Sequence, residues 1–320
     1  MPEETLKNAI RTLVKRIPVM GRAYVERDEL RAIVQQLREP PGHFYSPIPS
    51  QPEVRQRAER IFDGSSPTVA SIDMNERVQL QVFQALAQFY GEQPFPATKE
   101  NATRYFFENI AFSYFDAIVF FAMIRQLKPR RVIEIGSGHS SCVLLDTNER
   151  FFGNSIACTF IEPYPQLLTS LLTKDDLSRI TLIAKNLQEV DPGIFSQLEP
   201  NDILFVDSSH VSKTGSDVNH VFFDILPRLI PGVYVHFHDI FQSFEYPREW
   251  VYEGRAWNEA YLLRAFLQYN DAFAIQIFNS FLERFHRDLI ARDMPLCLRH
   301  SQQSIIPTSA QSIWLKKLSG

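Results

Sequence analysis

The stretch V-I-E-I-G-S-G-H-S-S, residues 132–141, decides the fold. A short β-branched run feeds a Gly-x-Gly turn, and helical character starts at once. Gly136 and Gly138 let the backbone turn tightly and come close to a ligand. The helix that follows presents free N–H groups at its N-terminus. Glu134, two residues before the first glycine, can accept from a positively charged or hydroxyl-bearing ligand.

Outward from this turn, strand-like runs recur at 131–135, 157–161, 180–184, 203–206 and 232–237. Segments of helical character separate them at 140–151, 164–173, 187–198 and 214–229. Strands alternating with helices predict βαβ units, hence a parallel sheet with right-handed crossovers. The C-terminal end departs from this rhythm. Residues 272–278 and 312–318 are both strand-like, with an irregular segment and no clear helix between them, which predicts an antiparallel pair at one edge.

Upstream, helical spacing covers 4–17 and about 27–37, then 52–62, 75–90 and 107–127. Glu39–Pro52 holds five prolines and reads as an extended segment. His43, Phe44 and Tyr45 within it are expected to pack on a domain surface. The pattern divides the chain into an N-terminal helical and proline-rich cap, 1–100, and a catalytic domain, 101–320.

Composition sets further bounds. The 320 residues carry 45% hydrophobic and 22% charged residues and a net charge of −4, so no nucleic-acid partner is expected. Three scattered cysteines, Cys142, Cys158 and Cys297, argue against a disulfide framework. The charged N-terminus lacks a signal-peptide core. Ile110–Ile124 is too short to span a bilayer and is interrupted by Ser113 and Asp116. The expectation is a cytoplasmic protein with no membrane partner, and the apolar N-terminal helices offer a surface for a homo-oligomer. The 26 phenylalanines suit an apolar core or an apolar substrate pocket.

A dinucleotide fingerprint would place a third glycine at 141, where Ser141 stands, so the loop argues against NAD. The arrangement E-x-G-x-G instead resembles the first motif of class I S-adenosylmethionine-dependent methyltransferases. Ser140 replaces the third glycine common in that family. The resemblance implies a Rossmann-like fold with a mostly parallel seven-stranded sheet and an antiparallel edge strand. It also implies S-adenosylmethionine as cofactor, held by Glu134, Gly136, Ser137 and Gly138. T-F-I-E-P-Y-P ends the second strand in Glu162, which the resemblance assigns to the ribose hydroxyls; a carboxylate suits that task by accepting two hydrogen bonds. Asn186, after the third strand, is either an adenine contact or a helix cap.

Two more motifs follow. N-D-I-L-F-V-D-S-S-H (201–210) ends a strand in Asp207, with His210 three residues on, and V-H-F-H-D-I-F (235–241) carries His236, His238 and Asp239. Ligands of open parallel sheets bind outside the carboxyl ends of the strands. Asp207, His210, His238 and Asp239 are therefore expected at one rim. D-x-x-H followed by H-D-I resembles, over roughly 105–280, a bacterial group related to metal-dependent sugar and catechol O-methyltransferases. That implies a divalent metal on Asp207 and Asp239, with His238 where some relatives have an oxygen ligand. Magnesium prefers oxygen, whereas a histidine tilts toward manganese, iron or zinc. His210 is the candidate base, with His238 as alternate base or ligand. The same groups could instead bond strand-end carbonyls with no metal. His236 is expected to be a buried, hydrogen-bonded histidine.

The aromatic segment 244–261 supplies Tyr246, Trp250, Arg255 and Trp257 as candidate contacts to a small-molecule acceptor; packing on the sheet is the other reading. The resemblance also suggests Tyr114 or Asn109 at the cofactor. The function read from these residues is methyl transfer from S-adenosylmethionine to an oxygen of a sugar or secondary metabolite, assisted by a divalent metal. Its rivals are a metal-dependent hydroxylase or hydrolase on the same fold, and a non-catalytic binding or scaffold protein.

Overall fold

Seven strands form one sheet in the order β3-β2-β1-β4-β5-β7-β6: β1 Arg131–Ile135, β2 Ala157–Ile161, β3 Thr181–Ile183, β4 Ile203–Val206, β5 Tyr234–Phe237, β6 Phe273–Phe278 and β7 Ile313–Lys317. This computed structural model describes residues 18–35 and 37–319. Strands β1 to β5 pair in parallel. β7 is antiparallel to both β5 and β6. The predicted antiparallel pair is present at the edge, but its reversed strand lies one place inside. The edge strand β6 runs with the first five.

The chain divides into two compact units, Met1–Ala58 and Glu59–Gly320, not near residue 100. The first holds helix α1 (Pro18–Gln35), the irregular proline-rich stretch and a short helix, Gln51–Gln56. The Phe44 and Tyr45 rings meet at a tilt with centroids 4.3 Å apart and are exposed, in contrast to the packing expected of them. The helix expected over 4–17 lies outside the described residues.

In the second unit, helix α2 (Glu76–Ala87) explains why residues 59–100 belong with the sheet. An edge strand presents unpaired backbone groups that must be satisfied. Asn75 Nδ2 donates to the Ile275 carbonyl at 2.8 Å, and the Phe278 N–H donates to Gln79 Oε1 at 2.9 Å. Gln79, itself buried, returns its amide to the Met74 carbonyl at 2.6 Å. Side chains from α2 and its entry thus close the β6 edge.

Helix α3 (Tyr114–Leu127) is buried on every side from Tyr114 to Ile124, the pattern of a core helix. Among the described residues no helix is long and apolar enough to cross a membrane. The segment 107–113 was expected to be helical but is a turn. Asn109 Oδ1 accepts from the N–H groups of Ala111 and Phe112, and its amide bonds two carbonyls in return. Such local side-chain bonds compete with helix. Helix α4 (His139–Phe152) follows β1 as expected. Residues 187–198 form only two 3₁₀ turns, Leu187–Glu189 and Pro192–Gln197, and 214–229 shifts from α through a π turn to a 3₁₀ turn at Pro227. Between β6 and β7, where no helix was expected, lie two short ones, Asn279–Phe285 and Arg287–Asp293.

One ion cluster, with Asp146 and Asp176 buried and Glu149 exposed, ties the entry of α3 to α4. Arg104 pairs with Asp146 at 2.7 Å, Glu149 at 2.6 Å and Asp176 at 2.5 Å. The N–H groups of Arg104 and Tyr105 also donate to Asp146, and Thr173 donates to Asp176 from both its backbone and its hydroxyl.

Candidate functional site

The Gly-x-Gly turn sits against the end of β4. Gly136 has φ +77°, and a Cβ there would lie 1.7 Å from the Asp207 carbonyl oxygen, so only glycine fits. Its N–H donates to Ile161, and Asp207 N–H donates to Ile135, which ties β1, β2 and β4 together just above the sheet. Ser141 Oγ accepts from Gly138 N–H at 3.1 Å, so the residue that stands where a dinucleotide fingerprint would have its third glycine caps the turn. Ser140 donates to Glu134 Oε1. Glu134 is fully buried and its Oε2 has no partner. Burial pushes this carboxyl up to about 8, against the pull of the two serines.

A cleft of about 470 Å³ opens beside this turn. Gly136, Glu162, Asn186 and Asp207 line it. Glu162 Oε2 accepts from Ser137 N–H at 3.2 Å and Oε1 from Tyr164 N–H at 2.8 Å, which fixes the carboxylate at the end of β2. Asn186 precedes a 3₁₀ turn without capping it by its side chain, so its amide is free to face the cleft. Ser137 Oγ is buried and unpartnered. The orphaned atoms of Glu134 and Ser137, the glycine cradle and the Glu162 carboxylate fit the amino acid and ribose parts of S-adenosylmethionine. Tyr114 does not join them. Its hydroxyl donates to Glu108 at 2.8 Å and its ring stacks on Phe107 at 4.6 Å, so it is spent on packing.

Asp207 belongs both to this cleft and to a second constellation. His210 Nε2 lies 3.3 Å from Asp207 Oδ1 and 3.4 Å from Asp239 Oδ2. Its Nδ1 is 2.8 Å from Glu259 Oε2. Glu259 opens helix α5 (Glu259–Leu267), is buried, and also accepts from Ser208 at 3.1 Å. The N–H groups of Asn258 and Glu259 both donate to the His210 carbonyl, so the start of α5 is latched onto the β4 loop. His210 and Asp239 adopt left-handed backbone, φ +59° and +57°. Non-glycine residues carry that strain mostly where the surrounding structure requires it, often at active sites.

Burial works to neutralise His210, but Asp207, Glu259 and Asp239 outweigh it and hold its pKa well above the usual value. Burial works to raise Asp207 too, yet His238 and His210 hold it below the usual range, whereas burial prevails at Asp239 and raises it. Ligand atoms of Asp207, His210 and Asp239 all lie within 4.8 Å of one another. Two carboxylates and an imidazole form a fitting donor set for a divalent ion, and the Glu259 contact leaves Nε2 as the ligating nitrogen.

His238 stands beside this set. Its Nε2 is 3.5 Å from Asp239 Oδ1; its Nδ1 is 3.3 Å from Ser312 Oγ and 3.8 Å from Asp116 Oδ2. Asp116, from α3, accepts from Asn279 Nδ2 at 2.7 Å and from Gln311 N–H. Burial pushes it up to about 6. His236 departs from expectation: both of its nitrogens lack partners, and it stacks on Phe205 at 3.8 Å. Burial among aromatic rings drives its pKa well below the usual value, so it is a neutral core residue.

The aromatic segment walls the constellation. Trp257 lies 4.4 Å from the His210 ring, Trp250 lies 5.3 Å from Trp257, and Tyr246 lies 6.0 Å from Trp257. Tyr246 also accepts from Ala260 N–H at 3.0 Å. The Arg255 guanidinium sits over both indoles, at 4.4 Å from Trp250 and 4.8 Å from Trp257. Sequence reasoning missed Glu259 and Asp116. Neither lies in a strand-end motif, and Asp116 reads as an interruption of an apolar helix.

A methyltransferase-domain family model matches residues 133–240, the span from β1 to just past Asp239. An uncharacterized protein of Archaeoglobus fulgidus is 37% identical over 183 residues, covering 55% of this chain and 81% of that protein. Among solved structures, the methyltransferase PaMTH1 of Podospora anserina, bound to S-adenosylhomocysteine, has TM-score 0.41 and 11% identity, over 84% of this chain and 97% of its own. The O-methyltransferase TomG of Streptomyces achromogenes has TM-score 0.40 and 13% identity, over 84% and 96%. The matched span takes in the Gly-x-Gly turn, Glu162, Asp207 and Asp239, and over residues 133–240 the chain carries a methyltransferase domain.

Proposed function

We propose that this protein transfers the methyl group of S-adenosylmethionine to a hydroxyl oxygen of a small molecule, with a divalent ion assisting. The observation that supports this most is the double membership of Asp207, which lines the cofactor cleft and belongs to the Asp207–His210–Asp239 set. The acceptor would then meet the cofactor at that carboxylate. Bound S-adenosylmethionine supplies an activated methyl on a sulfonium, and an ion in the donor set lowers the pKa of a nearby hydroxyl.

The chain's own residues do the rest. Glu134, Ser137 and Glu162 orient the cofactor. Asp207, His210 and Asp239 would hold the ion, and Glu259 fixes the His210 ring. His238 takes the hydroxyl proton at Nε2, while Ser312 and Asp116 steady its Nδ1 side. This exchanges the roles that the motifs alone suggested for the two histidines. The reason is geometric: His210 touches both strand-end aspartates, whereas His238 touches only Asp239.

The test is release of S-adenosylhomocysteine from S-adenosylmethionine in the presence of hydroxylated acceptors, with chelator and then with magnesium or manganese restored. Metal-restored release supports the reading. Release indifferent to chelator leaves methyl transfer standing without the ion. Metal-dependent turnover of an acceptor without S-adenosylhomocysteine would favour a hydroxylase or hydrolase.

A further inference from the structure

The Arg255 guanidinium lies against two indoles, 4.4 Å from Trp250 and 4.8 Å from Trp257. Its one described carboxylate contact is Glu253 Oε2, 3.3 Å from Nε. A guanidinium carries five N–H donors in a fixed planar fork. The four on its two Nη atoms meet no acceptor among the described residues. A second observation points the same way. Trp250 is buried and its Nε1–H has no acceptor either. A buried donor without a partner is costly, so the Trp250 Nε1–H calls for an acceptor, and the Arg255 side chain, 33% exposed, leaves its Nη donors open to the same ligand.

The setting matters as much as the donors. The Trp257 indole that carries Arg255 also carries His210 on its ring, at 4.4 Å. The guanidinium and the Asp207–His210–Asp239 set therefore lie within the span of one small molecule. Two indoles that meet edge to face hold the guanidinium against both rings, so little side-chain freedom is lost when a planar anion binds.

We propose that Arg255, with Trp250, is an anion clamp, and that the acceptor is a small hydroxylated molecule bearing a carboxylate or phosphate. This rests on the methyl-transfer reading. The anion would anchor on the guanidinium and place the hydroxyl at the aspartate–histidine set. A different role for Arg255 is plain: it could serve only to offset the three carboxylates gathered on His210. The two roles differ in what the loss of Arg255 does to charged and neutral ligands.

The experiment is isothermal titration into the full chain already saturated with S-adenosylhomocysteine. The probes are 3,4-dihydroxybenzoate, its neutral amide, and a sugar phosphate paired with its unphosphorylated sugar. The clamp predicts that at least one anion binds roughly 10- to 100-fold tighter than its neutral partner, the worth of a charged hydrogen bond. Arg255→Leu should erase that preference, and Arg255→Lys should keep part of it. S-adenosylhomocysteine affinity should be unchanged in both variants, which shows them to be folded. Equal binding of charged and neutral partners, an equal loss of both in Arg255→Leu, or no saturable binding of any anion would overturn the clamp. Failure of S-adenosylhomocysteine itself to bind would instead overturn the methyl-transfer reading.

Discussion

Two clusters in the second unit share one recipe: a single cationic side chain meets three carboxylates. Arg104 meets Asp146, Glu149 and Asp176; His210 meets Asp207, Asp239 and Glu259. They differ in what else holds the acids. At Arg104, backbone N–H groups and a threonine hydroxyl also serve Asp146 and Asp176, the cation is permanent, and the cavity that Arg104 and Asp176 line holds only about 10 Å³. At His210, the side chains of Asp207 and Asp239 receive no backbone hydrogen bond among the described residues, the backbone is held left-handed at two positions, and Asp207 faces the cleft. One cluster is saturated and joins elements together. The other keeps acceptor capacity in reserve, which is what binding and catalysis require.

The largest effect should separate the clusters by activity. His238→Gln is expected to lower kcat by roughly 10²–10⁴-fold, the usual worth of a positioned base, with S-adenosylhomocysteine binding kept. Arg104→Met should do the reverse. Removing one partner of a buried ion cluster costs about 3–5 kcal/mol of stability, read by denaturant unfolding, while kcat per folded molecule stays at the wild-type value. If Arg104→Met spared stability and removed activity, the contrast between the clusters would collapse.

A smaller effect sharpens the reserve at His210. Glu259→Gln should weaken divalent-metal affinity by about 10–100-fold, the usual worth of a group that orients a ligating histidine. Unchanged metal affinity would make Glu259 a packing residue.

The smallest effect concerns Glu134, whose folded pKa of about 8 lies above its usual value of 4.5. Between those values the folded state binds the proton and the unfolded chain does not. Stability of the unliganded protein should therefore fall as pH rises from about 4.5 to about 8, by at most about 1.4 kcal/mol per pH unit. Glu134→Gln should flatten that slope. An equal slope in the variant would move the proton to another group.

Much of this was legible from the residues. Strands ending in Gly136, Glu162, Asp207 and Asp239 follow one another at βαβ spacing, and β1, β2 and β4 fall where their apolar runs place them. The convergence of Asp207, His210, His238 and Asp239 follows from parallel strands having a common carboxyl end. What was hidden depends on tertiary contact. Glu259 sits in a segment dense in aromatics and charge, and only the latch between α5 and the His210 carbonyl brings it to the imidazole. The closure of β6 by Asn75 and Gln79 spans about two hundred residues, so no local pattern could assign 59–100 to the sheet. His236 lies in β5 two residues before His238, yet among the described residues its aromatic neighbours leave it without partners, which periodicity does not encode.

The most direct test of the central claim is isothermal titration of S-adenosylhomocysteine into chelator-stripped protein, repeated with manganese and magnesium and with the Gly136→Ala variant. The account predicts micromolar binding, a change in heat or affinity when metal is present, and loss of binding when a Cβ at 136 collides with the Asp207 carbonyl. No binding by the folded wild-type chain in any of these conditions would contradict it.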